Sequence, residues 1–262
     1  MKVVDPTFST KHQRIQQTQP LLIHAPHLHI QHNSRQIKAR ETMHRSAAAA
    51  LLLALSGVAS ASPLAVVRPR QADFSGNQQD GLSGECKSTI VIFARGTTEG
   101  GNVGTIAGPP FFQALASQVG GNLAVQGVEY PADIPGFLAG GDASGSQMMA
   151  SLTEKAITSC PGSSVIMSGY SQGGQLVHNG AAMLSPDTVA KVAGVVIFGD
   201  PFNGQAVQGV DATKTKIICH NGDNICEGGN QIRRAHLTYG NDAGEAAQFA
   251  ASMKPAAAPA AA

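Results

Sequence analysis

Residues 165–174 read Val165-Ile166-Met167-Ser168-Gly169-Tyr170-Ser171-Gln172-Gly173-Gly174. An apolar, strand-like run meets a serine that has a glycine two residues away on each side. That pattern places a nucleophile on a sharp strand-to-helix turn: the serine hydroxyl is exposed at the tip, and the glycines let backbone pass where a Cβ would clash. The residues that follow, 175–184, are apolar enough to continue as a buried helix. A lone Gly-x-Ser-x-Gly is only five residues long, so its surroundings have to carry the argument.

Those surroundings alternate. Short apolar runs at 89–93, 124–130, 164–167, 193–198 and 216–219 have the composition of strands buried on both faces. Helix-length stretches lie between and after them at 111–119, 147–159, 172–184 and 242–253. Strand-helix alternation predicts a three-layer α/β-hydrolase-type sandwich around a central, mostly parallel sheet of about five strands. No internal repeat is evident. Segment 131–141 is punctuated by glycine and proline and carries Ile134, Phe137 and Leu138, which suits a mobile apolar rim near a site.

An activated serine needs a base, and the base needs a carboxylate. Of nine histidines, six (His12, His24, His27, His29, His32 and His44) fall in the N-terminal stretch discussed below. His178 follows Ser171 by two helical turns, so its ring cannot reach back. His220 adjoins Cys219 and is expected to be pinned by its loop. His236, in the segment before the last helix, is the favoured base. For the acid, Asp223 lies in a short loop bounded by Cys219 and Cys226, where a disulfide would hold it rigid, although Asn-Gly-Asp is also good turn chemistry. Asp200, at the end of the fourth apolar run, remains its rival. Both satisfy the chain order serine, acid, histidine.

Four motifs in this order, Ala94-Arg95-Gly96-Thr97-Thr98-Glu99, Gly169-Tyr170-Ser171-Gln172-Gly173, Cys219 to Cys226 around Asp223, and His236-Leu237, resemble the fungal cutinase family over roughly 86–253. The resemblance implies a triad of Ser171, Asp223 and His236 and disulfides Cys86–Cys160 and Cys219–Cys226. It also implies an oxyanion hole from the Gln172 N–H together with the N–H and hydroxyl of Thr97. Two positions depart from the family pattern. Thr97 stands where the best-known members have serine, keeping a hydroxyl but restricting χ1. Asn230 replaces an aliphatic residue in the run 229–234, where Gln231, Arg233 and Arg234 are also expected to make the rim of the site polar. The expected substrate-binding rim is Ile134, Phe137, Leu138, Ile232 and Leu237.

The ends of the chain read differently from its middle. Residues 1–42 are rich in Gln and His without a sustained period and read as a non-structural extension ahead of a mis-assigned start. Residues 43–61 combine a short basic start, an apolar core and an Ala-Ser-Ala site, the pattern of a secretory signal peptide. The apolar run is well short of the ~20 residues a membrane span needs. A leader or propeptide at 62–71, a catalytic domain at 72–253 and a low-complexity tail at 254–262 complete the division.

From residue 72 onward nine Lys and Arg face fifteen Asp and Glu, a net of −6, whereas the whole chain is +1. An acidic domain is a poor partner for nucleic acid or an anionic membrane. The even count of cysteines after the signal favours disulfides. A zinc site from Cys219, His220 and Cys226 fits no common spacing. The expectation is thus a secreted, monomeric serine esterase without metal or cofactor, acting on ester or polyester substrates such as a plant cuticle. The alternatives are an acetylxylan esterase and a catalytically silent secreted protein that binds a surface.

Overall fold

The computed structural model describes residues 73–255. The expected extension, signal peptide and leader, and the tail beyond residue 255, lie outside the described residues. Five strands, β1 (Thr89–Ala94), β2 (Leu123–Gly127), β3 (Ser164–Tyr170), β4 (Gly194–Phe198) and β5 (Thr215–Ile218), form one sheet in the order β2-β1-β3-β4-β5. All four pairings are parallel.

Six α-helices accompany them: α1 (Gly108–Gln118), α2 (Ile134–Leu138), α3 (Ala143–Ser159), α4 (Gln172–Met183), α5 (Pro186–Val189) and α6 (Ala243–Ser252). Strand residues alternate between two cores. Ile90, Ile92, Val165, Met167, Val195 and Ile197 pack with Met149 of α3 and Leu176 and Val177 of α4. Val91, Phe93, Ile166, Val196 and Phe198 face Phe111, Phe112 and Leu115 of α1 and Ala246, Ala247 and Ala250 of α6. Both sheet faces are therefore covered, which is why the strands read as unbroken apolar runs rather than alternating ones. Phe112 is fully buried and meets Phe93 edge to face at 5.0 Å. Truncating such a ring to alanine typically costs about 3–5 kcal/mol.

The five strands and four long helices lie where the sequence pattern puts them, with shifted ends. Helix α3 starts four residues before the expected Gln147, because Asp142 caps it by accepting from the Gly145 N–H at 2.7 Å. Helix α1 starts at Gly108, three residues before Phe111, with Pro109 in its first turn, where a missing N–H has no consequence. Strand β2 ends at Gly127 rather than Tyr130; a Cβ there would sit 2.1 Å from Asn102 Cγ, and the chain then turns to bury Tyr130. Segment 131–141, expected as an irregular rim, contains α2, capped by Asp133 through the Gly136 N–H at 2.8 Å.

The chain leaves β1 toward β2 on one side, whereas β3, the neighbour of β1, leads toward β4 and β5 on the other. In parallel sheets the crevice beyond the strand ends at such a reversal is where ligands bind. The loop after β1 holds Thr97, and the turn after β3 holds Ser171.

Candidate active site

Ser171 sits between β3 and α4 with φ 56° and ψ −121°, a left-handed conformation that a non-glycine residue adopts only under constraint. The constraint is visible on both sides. A Cβ on Gly169 would lie 2.3 Å from the Gly173 carbonyl oxygen, and one on Gly173 would lie 2.0 Å from that of Ala94. No side chain fits at either glycine, so the turn is as tight as the motif demands. The Ser171 N–H is tied to the Phe198 carbonyl at 2.9 Å.

Ser171 Oγ lies 2.9 Å from His236 Nε2, and His236 Nδ1 lies 2.8 Å from Asp223 Oδ2. An ionised carboxylate only accepts, so Nδ1 carries the proton and Nε2 is left to accept from the serine hydroxyl. Asp223 is fully buried and takes two further donors: the Tyr239 hydroxyl at 2.6 Å and the Ile225 N–H at 3.0 Å. Burial alone would raise its pKa. The hydrogen bonds from Tyr239, His236 and the Ile225 N–H outweigh that and hold the carboxyl below its ordinary range. The group therefore stays ionised where His236 needs a partner.

Asp223 owes its place to the expected loop. Disulfides join Cys219 to Cys226 and Cys86 to Cys160, so the sulfurs of the considered zinc set are bonded to each other. Among the described residues no group of three or more His, Cys, Asp or Glu could hold a metal ion. The rival carboxylate, Asp200, faces elsewhere: its Oδ2 lies 2.9 Å from His178 Nε2. His220 is turned to the Ala235 carbonyl and Asp242. The 3-10 turn Arg234–Leu237 carries His236.

Thr97 and Gln172 stand together beside Ser171. Gln172 is the first residue of α4, so its backbone N–H has no helical acceptor. Its side-chain amide donates to Thr97 Oγ1 and to the Asp133 carbonyl, each at 2.8 Å. This bond uses the threonine oxygen as acceptor and leaves the hydroxyl proton free to point at a ligand. The loop holding Thr97 is rigidly supported. Arg95 donates to the Glu99 and Tyr130 carbonyls, while Glu99 accepts from the Gly96, Thr105 and Ile106 N–H groups.

A cavity of about 610 Å³ opens over Ser171 and His236. Ile134, Phe137, Leu138, Ile232 and Leu237 all line it, and four of them are half or more exposed, a concentration of apolar surface unusual outside a binding site. Asn230 lines it too and also borders a neighbouring cavity of about 460 Å³. Gln231, Arg233 and Arg234, expected to make this rim polar, do not line it; Arg233 reaches instead toward Glu227 at 3.9 Å.

A family model described as cutinase matches residues 85–253. The chain belongs to the cutinase family. A cutinase of Botryotinia fuckeliana is 58% identical over 165 residues, 63% of this chain and 82% of that one. Among solved structures, a Trichoderma reesei cutinase in complex with a C11Y4 phosphonate inhibitor is 42% identical and covers 67% of this chain and 79% of its own, with a TM-score of 0.64. An acetylxylan esterase solved at 0.90 Å is 23% identical over 64% of this chain and 99% of its own, with a TM-score of 0.52, and shares the fold. As a cutinase-family member the chain is a carboxylic ester hydrolase.

Two tyrosines support this site in ways that the sequence pattern left unread. Tyr239 donates to Asp223, and Tyr170 donates to the His236 carbonyl at 2.8 Å with its ring 5.1 Å from the imidazole. Burial raises the pKa of both phenols, so both remain donors. Their positions, inside the elbow motif and three residues after His236, were the available signal.

Proposed function

We propose that Ser171, His236 and Asp223 act as the nucleophile, base and orienting acid of this ester hydrolase. Ser171 Oγ attacks the ester carbonyl as His236 Nε2 takes its proton, and the developing oxyanion is met by the Gln172 and Thr97 N–H groups and the Thr97 hydroxyl. A donor of that kind typically contributes ~10²–10³ in kcat. His236 returns the proton to the leaving alcohol, and water then cleaves the acyl-enzyme by the same route. The observation that carries this reading is His236 bridging a buried carboxylate at 2.8 Å and a strained serine at 2.9 Å.

The proposed substrates are cutin-like polyesters and soluble esters of short to medium acyl chains, around butyrate. Each methylene buried against the apolar rim contributes up to ~0.8 kcal/mol, whereas desolvating the Asn230 amide without a partner costs more than that. The protein is proposed to be secreted and monomeric: the paired cysteines suit an oxidising compartment, and no helix among the described residues is long and apolar enough to cross a membrane. Initial rates on p-nitrophenyl acetate, butyrate and palmitate, beside cutin and acetylated xylan, test it. Butyrate should be fastest among the small esters and cutin should be degraded. A preference for palmitate would refute the chain-length reading, and turnover of acetylated xylan without cutin would refute the substrate class.

A further inference from the structure

Beside the Ser171–His236–Asp223 line lies a further histidine–carboxylate pair that the proposed reaction does not use. His220 Nε2 is 2.7 Å from Asp242 Oδ2, next to the first residue of α6, and His220 Nδ1 is 2.8 Å from the Ala235 carbonyl oxygen. Ala235 immediately precedes His236 in the 3-10 turn. The imidazole stacks on the Tyr239 ring at 4.1 Å, and the His220 backbone N–H donates to the same Tyr239 hydroxyl that donates to Asp223.

We propose that His220 is a positioning residue: as an imidazolium it clamps the Ala235 carbonyl to Asp242 and thereby holds the turn that carries His236 over Ser171. This rests on the triad reading above and assigns it a further member that touches no substrate.

The argument is one of donors and acceptors. Both ring nitrogens face oxygens that only accept, so both contacts are hydrogen bonds only when the ring carries two protons. Removing one proton leaves a lone pair facing either Ala235 O at 2.8 Å or the Asp242 carboxylate at 2.7 Å. The Thr238 hydroxyl, 3.2 Å from Nδ1, could turn to donate there, but it would then abandon the Ala235 carbonyl it reaches at 3.1 Å. Either neutral form therefore breaks the clamp at one of its two ends, at Ala235 or at Asp242.

The groups facing the ring from the surrounding elements favour the cation. Asp242 lies at its edge, the Tyr239 phenol lies against its face, and Asp223 lies beyond that phenol. Lys216 of β5 is paired with Glu245. Arg234 and His236 flank the clamped residue. Burial alone would lower the His220 pKa; the Ala235 carbonyl and Asp242 outweigh it and the net shift is upward. With the folded value raised, the clamp is fully present below the ordinary imidazole pKa and is lost as pH rises through the shifted value.

The test measures kcat and KM on p-nitrophenyl butyrate from about pH 5 to 9 for the wild type, His220→Gln and Asp242→Asn, with a phosphonate label locating the nucleophile in each. The wild-type kcat should fall at alkaline pH. His220→Gln should remove that fall and lower the maximal kcat on the order of tenfold, the scale of a small misplacement of a catalytic group, with KM within about twofold. Asp242→Asn should move the fall to lower pH. Maximal kcat in His220→Gln within about twofold of wild type, or an alkaline profile that neither substitution changes, overturns the proposal. If His220→Gln does not fold, the shift or its absence in Asp242→Asn decides alone. Labelling at a residue other than Ser171 overturns the triad reading, whereas labelling at Ser171 with unchanged profiles overturns only the role of His220.

Discussion

Two buried histidine–aspartate pairs lie near the ends of β3, β4 and β5, and they differ less in themselves than in what surrounds them. His236–Asp223 and His178–Asp200 have contacts of 2.8 and 2.9 Å, and both aspartates are fully buried. The first imidazole presents its other nitrogen to a serine on a strained turn. The second lies two helical turns beyond that serine and meets the Phe202 ring edge-on at 5.5 Å. Asp223 is held by Tyr239, the Ile225 N–H and a disulfide-closed loop; Asp200 has the Phe202 N–H. What sets the first pair apart is the hydroxyl that stands at its imidazole's other nitrogen.

The sharpest way to break this comparison is to make the same change on both sides. Asp223→Asn should lower kcat by ~10⁴ through the wrong imidazole tautomer. Asp200→Asn should leave kcat nearly unchanged while destabilising the fold by about 1–3 kcal/mol, the usual cost of leaving a buried hydrogen-bond partner unsatisfied. Steady-state kinetics beside urea denaturation reads both, and a kcat loss of similar size in the two variants would mean that the second pair also serves the reaction.

Replacing Cys219 and Cys226 with serine tests the loop's part in the difference. Releasing so short a loop should cost about 2–3 kcal/mol, and activity should decline at temperatures below global unfolding because Asp223 is loosened first. Coincident loss of activity and of far-UV circular dichroism would remove the loop's special role. The smallest effect is expected at Asn230, which borders the cavity over His236 and the neighbouring one beside Phe202. Asn230→Leu should lengthen the preferred acyl chain by one or two carbons, each worth up to ~0.8 kcal/mol, measured as kcat/KM along a p-nitrophenyl ester series. An unchanged optimum would mean that this side chain does not limit the groove.

Much of this is legible in the sequence. The elbow could be read because glycine spacing reports backbone clearance, and the strands because burial on both faces leaves continuous runs such as Val195-Val196-Ile197-Phe198. The preference for Asp223 over Asp200 rests in the sequence on the flanking Cys219 and Cys226 alone, since both aspartates follow strands and both sit among turn-forming residues. The partner of each depends on which helix packs behind it. Tyr239 escaped for a similar reason: its hydroxyl finds Asp223 only after the 3-10 turns fold back under the loop. Helix α2 was hidden by Pro135 and Gly136, which read as loop residues until Asp133 is seen capping them. Arg233 and Arg234 misled because their charge says nothing of direction in a segment with no regular period.

The bridge between Cys86 and Cys160 spans 74 residues of chain. If the molecule were pulled by its two ends, tension would pass through this covalent bond and bypass β1, β2 and helices α1, α2 and α3. The extension of the fully stretched molecule would be shorter by roughly 250 Å than that of the reduced chain, taking about 3.4 Å per residue. Two of the five strands of the central sheet are in this way shielded from mechanical load.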